Sequence, residues 1–233
     1  MGKLKRILKS FIKVKINLII VFILIVGTLI SPFFYYKMLR AYVSPSVYLI
    51  TNLGDSRGFG TGFAVKAPNG KTYLATNNHV CSGLKVGNKI VALTDTSVET
   101  HVLKVLLQDP ENDLCIAEAP ANASGLSISV GFAVGDTVHV IGHPLGGSLH
   151  RNDGEIIAHK IIQINYGNYF LPDIKFMSAW QFSATTSPGN SGSPVVNFFG
   201  RVIGIQFAGS SGNSYTSFLI ASKYLLEDLS RLK

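Results

Sequence analysis

Apolar residues follow two different patterns along the chain. Near the amino terminus they form a long run, Ile16–Tyr36, that contains no charged side chain. From Val47 onward they fall into short runs separated by Gly, Asn, Asp and Pro, which is typical of β-strands and turns. A helical stripe closes the chain over Ser222–Leu232. The sequence therefore predicts an apolar amino-terminal helix, a β-rich domain and a terminal helix.

The β-type runs fall into two halves joined by a connecting stretch, Ala121–Gly135. Many short strands with little helix indicate an all-β barrel or sandwich. The first half is predicted to contain strands at Val47–Thr51, Phe59–Val65, Thr72–Thr76, Lys89–Leu93, Val98–Leu107 and from Asp113 to about Ala119. The second half is predicted to contain strands at Thr137–Gly142, Glu155–Ile164, Ile174–Ser183, Pro194–Asn197, Arg201–Ala208 and Tyr215–Ile220.

The apolar run is long enough to cross a membrane as one helix. At about 1.5 Å per residue it spans roughly 30 Å, the thickness of a bilayer's hydrocarbon core. Aromatic residues gather at its end, Phe33–Tyr36, as at a membrane interface. Basic residues precede it, so the positive-inside rule predicts a cytosolic amino terminus with the rest periplasmic or extracellular. A cleaved signal peptide is the alternative. We predict a basic cytosolic segment (1–15), a single-pass signal anchor (16–36), a linker (37–46) and the β-rich domain (47–233).

The net charge of +8 is confined to the amino terminus. Eight of the 21 basic residues precede Asp55, the first acidic residue, and the remaining 13 equal the 13 acidic residues in number. A basic surface for nucleic acid would need the excess on the folded domain. The distribution therefore argues against nucleic acid as a partner and favours a lipid bilayer.

A candidate nucleophile lies in the segment Gly189–Pro194. Ser191 stands between Asn190 and Gly192, and an apolar strand follows. Glycine lets a backbone turn sharply and leaves N–H groups uncovered. Acyl-transfer chemistry needs a nucleophile with such donors beside it. An ordinary Gly/Ser turn between two strands is the alternative reading of this segment.

A base and an acid with suitable contexts occur earlier in the chain. His79 ends the third predicted strand, and Asp113 begins the sixth. The order His79, Asp113, Ser191 is that of the chymotrypsin-type triad. An α/β-hydrolase needs a histidine after its nucleophile, and none follows Ser191. A subtilisin order would need an acid before His79, where Asp55 in a glycine-rich loop is the one candidate.

Asp109 and Glu111 lie close enough in sequence to compete with Asp113 as the acid. The apolar strand directly after Asp113 favours Asp113. The other histidines lack a comparable context and are interpreted as structural: His101, His139, His143, His150 and His159.

These residues resemble the chymotrypsin-fold (trypsin-like) serine proteases, and are most similar to the HtrA (Deg-type) branch. Two positions depart from the HtrA pattern: Ser193 replaces a usual glycine, and His143 replaces a usual asparagine. The resemblance covers roughly residues 47–222 and rests on five segments in family order: Gly60-Thr61-Gly62-Phe63, Thr76-Asn77-Asn78-His79-Val80, Asp113-Leu114, Ile141-Gly142-His143-Pro144-Leu145-Gly146 and Gly189-Asn190-Ser191-Gly192-Ser193-Pro194.

The resemblance implies two six-stranded β-barrels, at about 47–120 and 135–233, with the active site between them. His79 and Asp113 would come from the first barrel and Ser191 from the second. The resemblance also implies an oxyanion hole at Gly189, Asn190 and Ser191. It implies a specificity pocket with Thr185 as its floor and Gln206, Phe207 and Ala208 along its wall. No acid occupies the floor, so small or medium apolar substrate side chains are expected.

The two cysteines, Cys81 and Cys115, each follow a proposed triad member by two residues. If His79 contacts Asp113, the cysteines are near each other, and a disulfide is permitted outside the cytosol. We hypothesise this bridge, with two buried free thiols as the alternative. No Cys/His spacing resembles a metal site. Neither a metal nor a cofactor is expected.

The sequence thus predicts a membrane-anchored serine endopeptidase that acts on proteins or peptides through an acyl-enzyme. A catalytically inert, membrane-tethered peptide-binding module on the same fold is the main alternative, and an esterase is a third. HtrA relatives often carry PDZ domains and are commonly trimeric. The short stretch after Ser191 predicts no PDZ domain, and homo-oligomerisation is left open. No Ile-Val-Gly-Gly-like start precedes the first strand, so activation by cleavage is not expected.

Overall fold

The protein is described by a computed structural model that covers residues 2–29, 32–52, 59–95, 99–165, 174–209 and 216–232. The chain divides into two compact units, Met1–Ala41 and Tyr42–Lys233. Asp55 lies outside the described residues, as do the predicted first residues of two strands, Val98 and Tyr215.

The first unit consists of helix α1, Gly2–Leu29, and most of helix α2, Pro32–Val43. The prediction of one continuous helix over Ile16–Tyr36 is therefore wrong. Pro32 begins α2, where proline's missing N–H costs nothing because a first-turn N–H has no helical partner. Neither described helix is by itself long and apolar enough to cross a membrane. The segments Val14–Gly27 and Pro32–Ser46, whose axes are bent by 50° relative to each other, have a sufficient length and apolar composition only when they are taken together.

The predicted linker at residues 37–46 is helical. Helix α2 continues to Val43, and a 3₁₀ turn over Ser44–Ser46 follows directly. The segment Lys37–Val43 contains no glycine or proline that would end a helix before Pro45. The chain therefore enters the β-rich unit through helical structure, with Val43 fully buried.

The second unit contains two closed antiparallel barrels of six strands each, in the orders β1-β2-β3-β6-β5-β4 and β10-β11-β12-β9-β8-β7. The predicted all-β double barrel with a terminal helix is confirmed. Barrel one contains β1 Val47–Asn52, β2 Phe59–Lys66, β3 Thr72–Asn77, β4 Lys89–Thr94, β5 Thr100–Asp109 and β6 Leu114–Glu118. Barrel two contains β7 Thr137–Gly142, β8 His150–Asn165, β9 Ile174–Phe182, β10 Pro194–Val196, β11 Val202–Gly209 and β12 Ser217–Ala221.

Each barrel is filled by its own apolar side chains. Ile50, Leu74 and Ile90 lie in the core of barrel one, and Phe182 and Leu219 in that of barrel two; all five are fully buried. Burying such a side chain contributes about 1.5–3 kcal/mol. The catalytic candidates therefore stand at strand ends on two separately packed supports.

Strand β8 and the terminal helix of the second unit each need a further description. Strand β8 begins at His150, five residues before the predicted start, because Gly142 pairs with His150 and extends the β7–β8 ladder. Helix α3, Ser222–Arg231, follows β12 directly and contacts β11. Its buried face carries Leu225 and Leu229, as the sequence stripe predicted, together with the acidic residue Asp228.

Candidate active site

His79 and Asp113 form a close pair at one end of barrel one. His79 Nδ1 lies 2.7 Å from Asp113 Oδ2, and the His79 backbone N–H donates to Asp113 Oδ1 at 2.8 Å. A carboxylate accepts hydrogen bonds, so the imidazole proton sits on Nδ1 and leaves Nε2 as the basic nitrogen. The Asp113 side chain is 3% exposed and that of His79 is 29% exposed. The acid is thus enclosed while the imidazole reaches solvent.

The backbone around Asp113 is held on both sides. Its φ of +51° is left-handed, a conformation that aspartate tolerates better than most residues. Its carbonyl accepts hydrogen bonds from the Asn78 N–H at 3.0 Å and from Asn77 Nδ2 at 3.1 Å. The loop before β6 therefore presents this carboxylate to His79 in one orientation.

The competing acid Asp109 has a local structural role. Its Oδ1 accepts the backbone N–H groups of Glu111 and Asn112 at 3.0 and 3.2 Å, and Asn112 Nδ2 donates to its Oδ2 at 2.7 Å. Asp109 thus closes the turn that leads into Asp113. Glu111 is exposed in the same turn.

Cys81 and Cys115 form a disulfide. Both are fully buried in the core of barrel one. The bridge joins the segment after His79 to strand β6 two residues after Asp113. It therefore ties together the two segments that carry the histidine–aspartate pair.

Ser191 lies in a turn of barrel two that is fixed by hydrogen bonds. The Asn190 N–H donates to Ser187 O at 3.0 Å, and the Ser193 N–H donates to Asn190 O at 2.9 Å. Gly189 has a φ of +95°, which only glycine adopts readily. The sequence therefore turns twice within Ser187–Ser193 and brings Ser191 to the tip.

The two barrels meet at this turn. The Thr61 N–H on β2 donates to Ser191 O at 2.7 Å. Beside it, a Cβ added to Gly60 would lie 2.6 Å from a Val80 methyl and 3.0 Å from Ser191 O. Gly60 is thus in contact both with the residue after His79 and with the backbone of Ser191. The structure therefore brings the histidine segment and the serine segment to the same position on β2.

Two backbone N–H groups in the turn are available to a ligand. Within the described part of the chain, neither Gly189 N–H nor Ser191 N–H donates to a protein acceptor. Pro188 O accepts from Leu145 N–H at 2.6 Å. A trans peptide directs its N–H opposite to its carbonyl, so the Gly189 N–H points away from Leu145. The inclusion of Asn190 as an oxyanion donor is wrong, because its N–H closes the turn with Ser187.

The predicted pocket residues differ in exposure. Thr185 is exposed, so the described residues do not enclose it as a pocket floor. Gln206 and Phe207 are buried, and Ala208 is half-buried. The Gln206 N–H donates to Ser193 O at 3.0 Å, which links the predicted wall to the serine turn.

A chain of polar side chains extends inward from Gln206. Gln206 Nε2 donates to Thr186 Oγ1 at 3.0 Å, Thr186 Oγ1 lies 2.7 Å from Ser217 Oγ, and Ser217 Oγ donates to Ala184 O at 2.9 Å. Since Ser217 gives its proton to a carbonyl, Thr186 gives its proton to Ser217. The sequence analysis missed Thr186 and Ser217. Thr186 lies in the connection between β9 and β10, and Ser217 begins β12, so only the folded barrel brings the two hydroxyls together.

The two departures from the HtrA pattern are both buried beside the serine turn. Ser193 fits because residue 142 is glycine: a Cβ there would overlap Ser193 Oγ. His143 Nδ1 donates to Gly147 O at 2.9 Å, while its Nε2 is buried without a hydrogen-bond partner in the described structure. Burial lowers the pKa of His143, against the opposing influence of the Gly147 carbonyl and Asp95. His143 is therefore neutral at pH 7 and forms part of the support of the serine turn.

The family model described as a trypsin-like peptidase domain matches residues 60–205. This match covers more than half of the chain and includes most strands of both barrels, the His79–Asp113 pair and the Ser191 turn. The chain belongs to the trypsin-like peptidase domain family. The sequence-based assignment to the serine peptidases is confirmed at the level of the family.

Individual relatives agree with the HtrA branch. An HtrA-like serine protease from Staphylococcus aureus (strain USA300) is 34% identical over 157 residues, which is 64% of this chain and 20% of that protein. The chain thus spans about a fifth of the length of the curated relatives it matches. The HtrA-type protease AlgW, solved with a tripeptide, has a TM-score of 0.70 and 26% identity over 84% of this chain and 63% of AlgW.

A second solved structure has the same fold at lower identity. The Rv3671c protease from M. tuberculosis, in its active form, superposes with a TM-score of 0.71 and 23% identity over 87% of each chain. At this identity the likeness shows a shared fold. The predicted resemblance to HtrA-like proteases of the chymotrypsin fold is confirmed.

Proposed function

We propose that the protein is a membrane-anchored serine endopeptidase in which Ser191, His79 and Asp113 act as the catalytic triad. The observation that carries the proposal is the convergence at β2. His79 is oriented by a buried carboxylate, and beside Ser191 are two N–H groups that have no acceptor among the described residues. The two segments are connected through Gly60 and Thr61. A base, an orienting acid, a nucleophile and oxyanion donors are the parts that acyl transfer requires.

In this mechanism Ser191 Oγ attacks the carbonyl carbon of the substrate peptide, and His79 Nε2 takes the hydroxyl proton. Asp113 keeps the Nδ1 proton in place and stabilises the imidazolium. The oxyanion binds the Gly189 and Ser191 N–H groups, and loss of one such donor costs about 2.7–4 kcal/mol. His79 then protonates the leaving amine. Water, activated by His79, hydrolyses the ester and restores Ser191.

We propose apolar residues of small or medium size as the preferred side chains before the cleaved bond. No carboxylate occurs in residues 184–186 or 206–209, which would line the pocket. Of its polar side chains, Thr186 and Ser217 are hydrogen-bonded to each other, whereas the buried Gln206 Oε1 has no hydrogen-bond partner in the described structure. A buried substrate cation would meet no opposite charge in these residues. A peptide-library digest that yields cleavage mainly after Lys or Arg would refute this preference.

Membrane anchoring is part of the same proposal. The basic residues before the apolar run favour a cytosolic amino terminus and an extracytoplasmic peptidase unit, either periplasmic or extracellular. A disulfide within barrel one fits an oxidising compartment. Proteins or peptides outside the cytosol are the proposed substrates.

A serine-directed fluorophosphonate probe tests the catalytic assignment on the full chain in detergent. The wild type is expected to be labelled and to hydrolyse casein, whereas Ser191→Ala and His79→Ala lose both activities. Ser187→Ala, which changes a serine of the same turn, is the matched control and keeps labelling. An unlabelled wild type with bound peptide would favour the inert binding module, and label on Ser191→Ala would disprove the nucleophile.

A further inference from the structure

Thr61 occupies the point at which barrel one supports the serine turn of barrel two. It lies on β2, is fully buried, and is flanked by Gly60 and Gly62. Thr76 Oγ1 on β3 donates to its carbonyl at 2.7 Å. The Thr61 backbone is therefore held by a contact within barrel one, independently of barrel two.

Thr61 holds two alternate peptide groups of the serine turn. Its hydroxyl donates to Gly189 O at 2.7 Å, and its N–H donates to Ser191 O at 2.7 Å. The carbonyls of Pro188, just before Gly189, and of Asn190, between Gly189 and Ser191, accept hydrogen bonds from barrel two itself. All four consecutive peptide planes are thus fixed. Barrel one contributes half of these hydrogen bonds, and all of them through one residue.

The hydroxyl of Thr61 also binds a second loop. The His143 N–H donates to Thr61 Oγ1 at 2.9 Å. Because a backbone N–H can only donate, Oγ1 accepts there, and its own proton is left for Gly189 O, which can only accept. One hydroxyl therefore satisfies two buried backbone groups at once. Valine has the same shape but would leave both groups unpaired.

The fit leaves little room for the turn to move. A Cβ added to Gly192 would overlap both Thr61 O and Thr76 Oγ1. Gly192 also has a φ of +86°, which other residues rarely adopt. The turn thus rests on the threonine backbone itself, and a change in the Thr61 contacts is transmitted directly to the N–H groups of Gly189 and Ser191.

We infer that Thr61 is a positioning residue for the oxyanion hole: barrel one orients the two N–H donors through its hydroxyl and backbone N–H. The inference deepens the proposed function and rests on it. The effect of Thr61 is expected in the transition state, because the oxyanion develops there. Loss of the Thr61 hydroxyl therefore lowers kcat and leaves KM close to that of the wild type.

The test compares Thr61→Val with Thr61→Ser on the full chain in detergent, using a chromogenic peptide that the wild type cleaves. Thr61→Val is expected to lose about 10–100-fold in kcat, since two buried groups lose their partner. Thr61→Ser keeps a hydroxyl and is expected to recover most of this loss. A peptide boronate, whose adduct has a tetrahedral oxyanion, should lose affinity for Thr61→Val by a similar factor.

Thr72→Val, on β3 away from the serine turn, is the matched control and should keep wild-type kinetics. Equal losses in the Val and Ser variants, or a change confined to KM, would overturn the inference. If Thr61→Val does not fold, Thr61→Ala is compared with Thr61→Ser by the same criteria. A wild type that neither cleaves peptide nor reacts with fluorophosphonate overturns the proposed function itself, whereas an active wild type with fully active Thr61→Val and Thr61→Ala overturns only the role of Thr61.

Discussion

Cys81 is bonded to Cys115, and this bridge links the two chain segments that place the His79 imidazole against the Asp113 carboxylate. The two residues are 34 positions apart and both are fully buried. A covalent link so close to the pair restricts the separation of its two members. The disulfide therefore supports both the stability of barrel one and the geometry of the proposed active site.

Replacing both cysteines by alanine is expected to destabilise the protein by about 2–4 kcal/mol, because the unfolded chain regains the freedom of a large loop. Urea unfolding of the variant and the wild type measures the difference. Reducing agent should lower the wild-type midpoint and leave that of the variant unchanged. Coincident midpoints for the two oxidised proteins would contradict a stabilising bridge.

Asp113→Asn is expected to lower kcat by about 10⁴-fold, the loss that a wrong histidine tautomer causes in triad enzymes. An amide at this position offers one donor and one acceptor, so it no longer requires the proton to sit on His79 Nδ1. Asp109→Asn is the control, since the described contacts of Asp109 are with its own turn and with Asp228 rather than with His79. It should keep kcat within about threefold of the wild type. Comparable losses in both variants would remove the distinction between the two acids.

His143 is expected to make folding stability fall on acidification. Its pKa is lowered, chiefly by burial, so the folded state binds its proton less readily than the unfolded chain. The stability is fully present above the unfolded pKa of about 6.5 and is lost as pH falls through the lower folded pKa. His143→Asn should flatten this dependence in thermal unfolding between pH 4.5 and 8. His150→Asn, at an exposed position, should leave the slope unchanged; a slope unaltered by His143→Asn would disprove the assignment.

Asp228 should have the opposite pH dependence. Burial, with help from Asp109 and Glu227, raises the pKa of Asp228 to about 6, although Arg231 favours the charged form. The folded state thus holds this proton more tightly than the unfolded chain. The associated stability is full below the unfolded pKa of 3.8 and is lost as pH rises through about 6.

Asp228→Asn is therefore expected to raise the melting temperature at pH 8 relative to the wild type, with the advantage vanishing near pH 4. Calorimetry at several pH values between these limits measures it. Glu155→Gln, an exposed carboxylate on β8 that does not contribute to the pKa of Asp228, is the control and should show no such trend. A variant that is less stable than the wild type at pH 8 would show that the Arg231 ion pair outweighs the burial of the charge.

Much of the fold was predictable because period-two hydrophobicity and turn residues mark strands independently of distant contacts. Eleven of the twelve strands begin within two residues of their predicted starts. Strand β8 is the exception. Its first residues, His150–Gly154, are polar and contain a glycine, so they have the pattern of a loop. Their strand conformation comes from pairing with β7, which no local pattern reveals.

The bounds of the two amino-terminal helices were also not predictable from a local pattern. Composition predicted an apolar segment that could span a bilayer, but it did not predict where a helix would break. Pro32 begins a helix as readily as it ends one, and nothing in Lys37–Val43 stops the second helix. Membrane crossing by this segment stays a prediction.

In the candidate site, the residue types and their order predicted the pair His79 and Asp113, and these two side chains are in contact in the structure. The sequence did not reveal the residues that support the serine turn. Thr61 is a strand threonine between two glycines, and its importance depends on the docking of barrel two. Asn190 was included among the donors because sequence cannot tell which N–H groups a turn uses internally. Only the hydrogen bonds of the folded turn show which N–H groups are used within the turn.

The closure of both barrels has a consequence for the proposed attachment of this protein to a membrane. Tethering confines neighbouring copies to two dimensions and raises their local concentration. Open sheets in that setting expose unpaired N–H and C=O rows along which strands of different molecules can join. Barrel one is closed by the pairing of β1 with β4, and barrel two by the pairing of β10 with β7. Crowded copies are thereby protected from edge-to-edge aggregation.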